Sequence, residues 1–198
     1  SGNAKLFWDA SAESLGIGTS SPRTLINASS ATGAILTLES SDTSLGEGDV
    51  VGQINFYAND ASTNSTGNKA FIKAYSETAG GNKVGLDFAT SSSTSATGVT
   101  AMTISSDGSV GIGTSSPSRA LEVYGATAGV ISITSNSTDG ISSLSFGDTA
   151  DDNAGRVNYL NATDDMLFYT ATAERFRIAS DGSLSTPTAG TSNVRFGV

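Results

Sequence analysis

The chain has 198 residues, of which 37% are hydrophobic and 7% aromatic, with a net charge of −9 and neither histidine nor cysteine. This composition excludes Cys/His zinc sites, Ser-His and Cys-His nucleophile pairs, and any disulfide framework. The ten Lys and Arg are scattered singly, so no cationic patch offers itself to a nucleic-acid backbone or an anionic membrane surface, and no apolar run approaches the ~18 residues of a membrane span.

Taken in chain order, the apolar residues fall into short period-two runs, the pattern of half-buried strands. The stretch "FWDASAESLGIG" (7–18) leads into "GIGTSSP" at 16–22. Alternating pairs follow at Leu36/Leu38, Ile54/Phe56, Phe71/Lys73/Tyr75 and Leu86/Phe88. Between them lie the polar stretches "NDASTNSTGNK" (59–69) and "TSSSTSATG" (90–98), which read as loops. Met102 and Ile104 alternate up to Asp107-Gly108, and Val110 and Ile112 alternate after it. Asp-Gly between such runs predicts a hairpin, because both residues accept turn conformations. "GIGTSSP" then returns at 111–117, followed by Ile131/Ile133, Leu144/Phe146 and Val157/Tyr159. "TAERFRI" (172–178) could open as a helix, but Phe176 and Ile178 fit a strand, and Asp181-Gly182 predicts another hairpin. No helical stripe emerges.

The heptapeptide belongs to a longer repeat. Pro22 and Pro117 lie 117 − 22 = 95 residues apart, and Leu36-Thr37-Leu38 stands opposite Ile131-Ser132-Ile133 at the same offset. Residues 102–110 resemble 176–184 at an offset of 181 − 107 = 74. The predicted domains are therefore a module tail over 1–15, a β module over 16–110, a second over 111–184, and the start of a following segment over 185–198. The opening Ser1-Gly2-Asn3 reads as that of an excised fragment. Within "GIGTSSP" only Ile17 has bulk, and glycines so placed mark a bend or a close approach of backbones. Pro22 cannot donate to a ladder and ends the strand. A phosphate cradle is the poorer reading: no third glycine, P-loop lysine or following helix accompanies the motif.

Few large apolar side chains stand against an entropy cost of roughly 1.5 kcal/mol per ordered residue. One expectation is that the chain borrows buried surface from identical partners. Candidate chemistry is sparse. Asp151-Asp152 and Asp164-Asp165 are the densest acidic spots, but adjacent strand residues face opposite ways, so neither makes a glycosidase pair. Solvated loop acids are the simpler reading. Asp148, Asp151 and Asp152 could gather calcium, without the usual twelve-residue loop. Trp8, Tyr57, Tyr75, Tyr124, Tyr159 and Tyr169 could stack on sugars, although packing roles suit most of them better. Asn27, Asn64, Asn136 and Asn161 head N-x-Ser/Thr sequons. Glu174-Arg175 could bridge to a neighbouring chain. No catalytic, cofactor or metal residue is assigned, and no cofactor is expected.

The motifs Met166-Leu167-Phe168-Tyr169-Thr170, Glu174-Arg175-Phe176-Arg177-Ile178 and Asp107-Gly108-Ser109-Val110-Gly111-Ile112-Gly113-Thr114, with Pro117, Leu121 and Val123, resemble a repeat of bacteriophage tail-fibre proteins, especially marine ones. The resemblance covers nearly the whole chain. It departs at Val99-Thr100-Ala101-Met102, where Glu-Arg would stand, and at "SLSTPT" (183–188). The tail "SNVRFGV" (192–198) looks like the opening of a short N-x-x-x-G type repeat. The resemblance implies an all-β chain of tandem small antiparallel β-sandwich or β-prism-like modules in an elongated, homotrimeric fibre. The implied role is a structural shaft segment of a virion tail fibre supporting host attachment, with other virion tail proteins as partners and no enzymatic activity. Three alternatives compete. One is a glycan- or receptor-binding β module, of a fibre or a bacterial surface adhesin, acting through loops 59–69 and 90–98. An ice-binding surface is weakened by irregular threonine spacing, and a polysaccharide-degrading enzyme by the lack of a carboxylate pair.

Overall fold

In the computed structural model, residues 6–62, 66–92 and 97–187 are described. They contain strands and no helix, so the all-β expectation holds. The loop centres at 63–65 and 93–96, the Asn64 sequon and the tail 192–198 lie outside the described residues.

Three sheets form. The first holds β1 (Leu6–Asp9), β2 (Ser14–Ile17) and β3 (Ile26–Ala28). The second is a six-stranded sheet in sequential order, of β4 (Val50–Ala58), β5 (Gly67–Ser76), β6 (Val84–Thr90), β7 (Val99–Ile104), β8 (Val110–Ile112) and β9 (Leu121–Val123). The third runs in the same sequential order through β10 (Ile141–Phe146), β11 (Gly155–Leu160), β12 (Asp165–Thr170), β13 (Ala173–Ile178) and β14 (Leu184–Ser185). The chain divides into two units, Ser1–Gly129 with the first two sheets and Val130–Val198 with the third.

Pairs are antiparallel except β2/β3 and β8/β9, which are parallel. Those two exceptions are where the heptapeptides sit. The predicted repeat appears as identical register. Leu15 pairs with Ile26 and Ile17 with Ala28, while Val110 pairs with Leu121 and Ile112 with Val123, each 95 residues on. Ile104 pairs with Val110 as Ile178 does with Leu184, 74 residues on.

The parallel connectors are residues 18–25 and 113–120, eight each, where about a dozen or more is usual. The glycines make this possible. A Cβ on Gly16 or Gly111 would stand 2.2 or 2.3 Å from the carbonyl oxygen of Thr19 or Thr114. Gly18 and Gly113 both have φ +76°, and a Cβ there would stand 2.2 Å from the carbonyl oxygen of Ser29 or Tyr124. The predicted close approach is therefore real, and it lies between each turn and the parallel strand that follows. Thr19 and Thr114 hydroxyls accept from Ser21 and Ser116 N–H at 3.1 and 3.2 Å. Asn27 Oδ1 and Glu122 Oε2 accept from Arg23 and Ser118 N–H at 3.1 and 2.7 Å, so different residues 95 apart serve one turn.

Both Asp-Gly hairpins form. At the first, Ser105 N–H donates to Ser109 O at 2.9 Å and Asp107 Oδ1 accepts from Ser109 N–H at 2.9 Å. At the second, Ala179 N–H donates to Ser183 O at 2.9 Å and Asp181 Oδ1 accepts from Ser183 N–H at 2.8 Å. "TAERFRI" resolves as strand β13.

Two predicted strands do not form. Leu36/Leu38 and Ile131/Ile133 lie in unpaired stretches outside every sheet. Residues 34–39 and 130–134 make no backbone–backbone hydrogen bond among the described residues. Alternation signals a strand, but a ladder also needs a backbone alongside in the plane of the sheet, and the first segment instead brings Leu38 over the face of β4 at Gly52.

Candidate functional site

Register defines two faces on the six-stranded sheet. One row crosses it through Ile54, Ile72, Phe88, Met102, Ile112 and Val123. The neighbouring row, on the opposite face, runs Gln53, Lys73, Asp87, Thr103, Gly111 and Glu122. The usual order of burial is inverted. Asp87 is 5% exposed and Thr103 0%, whereas Ile54 is 43% and Phe56 55% exposed. The third sheet repeats the inversion: Leu144 and Phe146 are exposed and Asn158 is buried. Among the described residues the buried apolar side chains are Ala89 and Leu167. Contiguous exposed apolar side chains of this kind are unusual on a monomeric protein.

The buried polar faces are held by charge. Lys73 Nζ lies 3.1 Å from Asp87 Oδ2 and sits over the rings of Phe71 and Tyr75, 5.6 and 5.0 Å from their centroids. Thr103 Oγ1 donates to Asp87 Oδ1 at 2.7 Å. Burial, then the charges of Asp87 and Glu77, push the Tyr75 phenol above its usual range. On the third sheet Arg177 reaches Asp165 at 2.8 Å and Glu174 at 2.9 and 3.0 Å. The hydrogen bond to Glu174, then the charges of Glu174 and Asp165, raise the Arg177 guanidinium further above its already high value.

Sequence reasoning misplaced one acid here and did not foresee the partners of Glu174 and Arg175 within the chain. Asp165 is not a solvated loop acid: it is 6% exposed and also accepts from Ser180 N–H at 3.2 Å. Glu174 bonds Arg177 of its own chain, while Arg175 Nε donates to Thr170 O and Oγ1 at 3.3 and 3.1 Å. The register shift between Phe168 and Tyr169 sets these partners, and spacing in the sequence does not reveal a bulge.

The remaining candidates are spread out. A cleft of about 500 Å³ at one end of the second sheet is lined by Tyr75, Glu77, Lys83, Asp87, Ser106 and Asp107. Its Glu77 carboxylate already accepts from Ser106 N–H and Oγ at 3.0 and 2.5 Å. Asp148 Oδ1 accepts from Ala150 and Asp151 N–H at 2.8 and 3.2 Å, which holds its carboxyl below the usual range. Among the described residues no three acids gather to hold a metal ion. Asp164 accepts from the Tyr159 hydroxyl at 2.8 Å. Trp8, Tyr57 and Tyr124 are exposed, and Tyr169 stacks under Arg156, 4.5 Å from ring centroid to guanidinium. Asn27 and Asn161 serve turns, the latter donating to Ser137 O at 3.0 Å; Asn136 lines a shallow cavity with Tyr159 and Asp164.

No protein-family model matches the chain, and no curated protein does. The exposed apolar side chains of these faces are the feature to be explained.

Proposed function

We propose that this chain is a structural shaft segment of a trimeric viral tail fibre, holding a host-binding end away from the particle. The observation that carries the proposal is the inversion of the sheets: large apolar side chains such as Ile54, Phe56, Leu144 and Phe146 are exposed, while Asp87, Thr103 and Asn158 are buried. Three copies turning their apolar rows inward around a common axis would give each module the core it lacks alone, as a β-prism-like body. The recurrence of one turn in one register, 95 residues apart, supports serial modules whose number sets length. The residues shared with phage fibre repeats support the viral assignment, and with it a virion location and other tail proteins as partners. In this reading the chain has no enzymatic activity, no membrane insertion and no nucleic-acid partner. Contact with a host-surface glycan would belong to the polar loops.

Light scattering coupled to size exclusion, with small-angle scattering, tests this. Three chains in an elongated particle are expected. A stable monomer at micromolar concentration would overturn it.

A further inference from the structure

We infer that residues 34–39 and 130–134 are strands that complete the sheets of a neighbouring copy, pairing along the free edges of its β4 and β10. This rests on the self-association proposed above and specifies how it is made.

Backbone accounting comes first. Ala34-Ile35-Leu36-Thr37-Leu38-Glu39 and Val130-Ile131-Ser132-Ile133-Thr134 are rich in strand-forming residues and alternate as strands do. They make no backbone–backbone hydrogen bond among the described residues, and Ile35 is 88% exposed. Two such segments recur 95 residues apart, so the arrangement is a repeated feature of the module.

The acceptors are equally unusual. β4 and β10 are edge strands, with nothing paired on their outer sides. Monomeric proteins protect such edges with charge, proline or shortness. β4 has nine residues and β10 six, and neither contains a charged residue or a proline. The opposite edges, β9 and β14, have only three and two residues.

The occupant follows from self-complementarity. One chain carries two donors and two acceptors, with five residues in 130–134 against six in β10. Pairing within the chain is disfavoured for the first donor. Leu38 lies over the face of β4, where a Cβ on Gly52 would be 3.0 Å from both Leu38 Cβ and Leu38 O. A segment across a face cannot at the same time run along its edge. A second copy supplies what the first lacks, and such head-to-tail exchange closes into a ring when the rotation allows.

Amide hydrogen exchange on the 198-residue chain, with mass by light scattering, tests the inference. An edge-paired strand bonds every second N–H. The expected result is an oligomer in which alternate amides of 34–39 and 130–134 exchange about a hundredfold or more below the free-peptide rate. Leu36→Pro and Thr37→Pro probe neighbouring N–H groups that no ladder of the single chain uses. At least one should weaken the oligomer at least tenfold while leaving the amide protection of β5 and β6 in place. An oligomer whose 34–39 and 130–134 amides exchange freely would overturn the strand exchange and leave the shaft reading standing. A monomer would overturn both. Protection of these amides in a monomer would show that they fold back on their own sheet.

Discussion

At the scale of the residue, the second glycine of each heptapeptide carries two separate constraints. Gly113 has a positive φ and a backbone oxygen where its Cβ would go, whereas Gly108 shares the positive φ, at +86°, in open space. Gly108→Ala should therefore cost only the conformational term, about 1–2 kcal/mol. Gly113→Ala must also push the β9 connection away, and should cost more than about 3 kcal/mol. Urea titration of both variants checks the order, and equal costs would dismiss the close approach. The turn aspartates add a pH term. Hydrogen bonds from Ser105 and then Ser109 hold the Asp107 carboxyl below its usual range, and Ser183 does the same for Asp181. A folded-state pKa below the unfolded value near 3.9 gives stability that is fully present above that value. It is lost as the pH falls through the folded-state pKa. The urea midpoint should drop on going from pH 7 to pH 3, and Asp107→Ala should flatten the drop while lowering the midpoint at pH 7.

At the scale of the element, one register position tells how the buried polar row is built. Asp87 pairs across the ladder with Thr103, and Leu167 with Arg177, at corresponding places in the two sheets. The second sheet buries a carboxylate there; the third buries a leucine and moves its carboxylate to Asp165. Thr103→Val keeps the shape and removes the hydroxyl that donates to Asp87. The expected loss is about 1.5–3 kcal/mol, the range for a bond to a charged group, and chemical denaturation measures it. Thr100→Val, whose hydroxyl stands 3.4 Å from the same carboxylate, should cost under about 1 kcal/mol. The hairpins at Asp107-Gly108 and Asp181-Gly182 were legible because turn chemistry is local. The repeat was legible because register follows from identical glycine spacing. Which face would be covered was not legible, since alternation separates two faces without ranking them. Nor was the fate of Leu36/Leu38, because period two is a property of one segment and a ladder a property of two. Asp165 was misread because its partner, Arg177, lies on the neighbouring strand and comes beside it only through the β12/β13 pairing.

At the scale of the whole molecule, the inverted sheets separate two accounts of stability. If each chain stands alone, Phe56 and Leu144 are surface residues, and replacing one by serine should change stability by no more than about 0.5 kcal/mol. If the apolar rows meet those of other copies, the same substitutions expose surface that assembly had buried, and each should cost about 1.5–3 kcal/mol. The two accounts also differ in their dependence on concentration. Folding linked to association raises the melting temperature with protein concentration, whereas a lone chain melts at one temperature throughout. The net charge of −9 works against association at low ionic strength, so added salt should raise the melting temperature of an assembly by screening that repulsion. Thermal melts of wild type, Phe56→Ser and Leu144→Ser over a hundredfold concentration range, at low and moderate salt, decide the matter. The expected pattern is a wild-type midpoint that climbs with concentration and with salt, and variants displaced downward by several degrees. Midpoints indifferent to concentration, with serine variants matching wild type, would mean that the exposed rows contribute nothing to folding and that the polar faces alone hold each sheet.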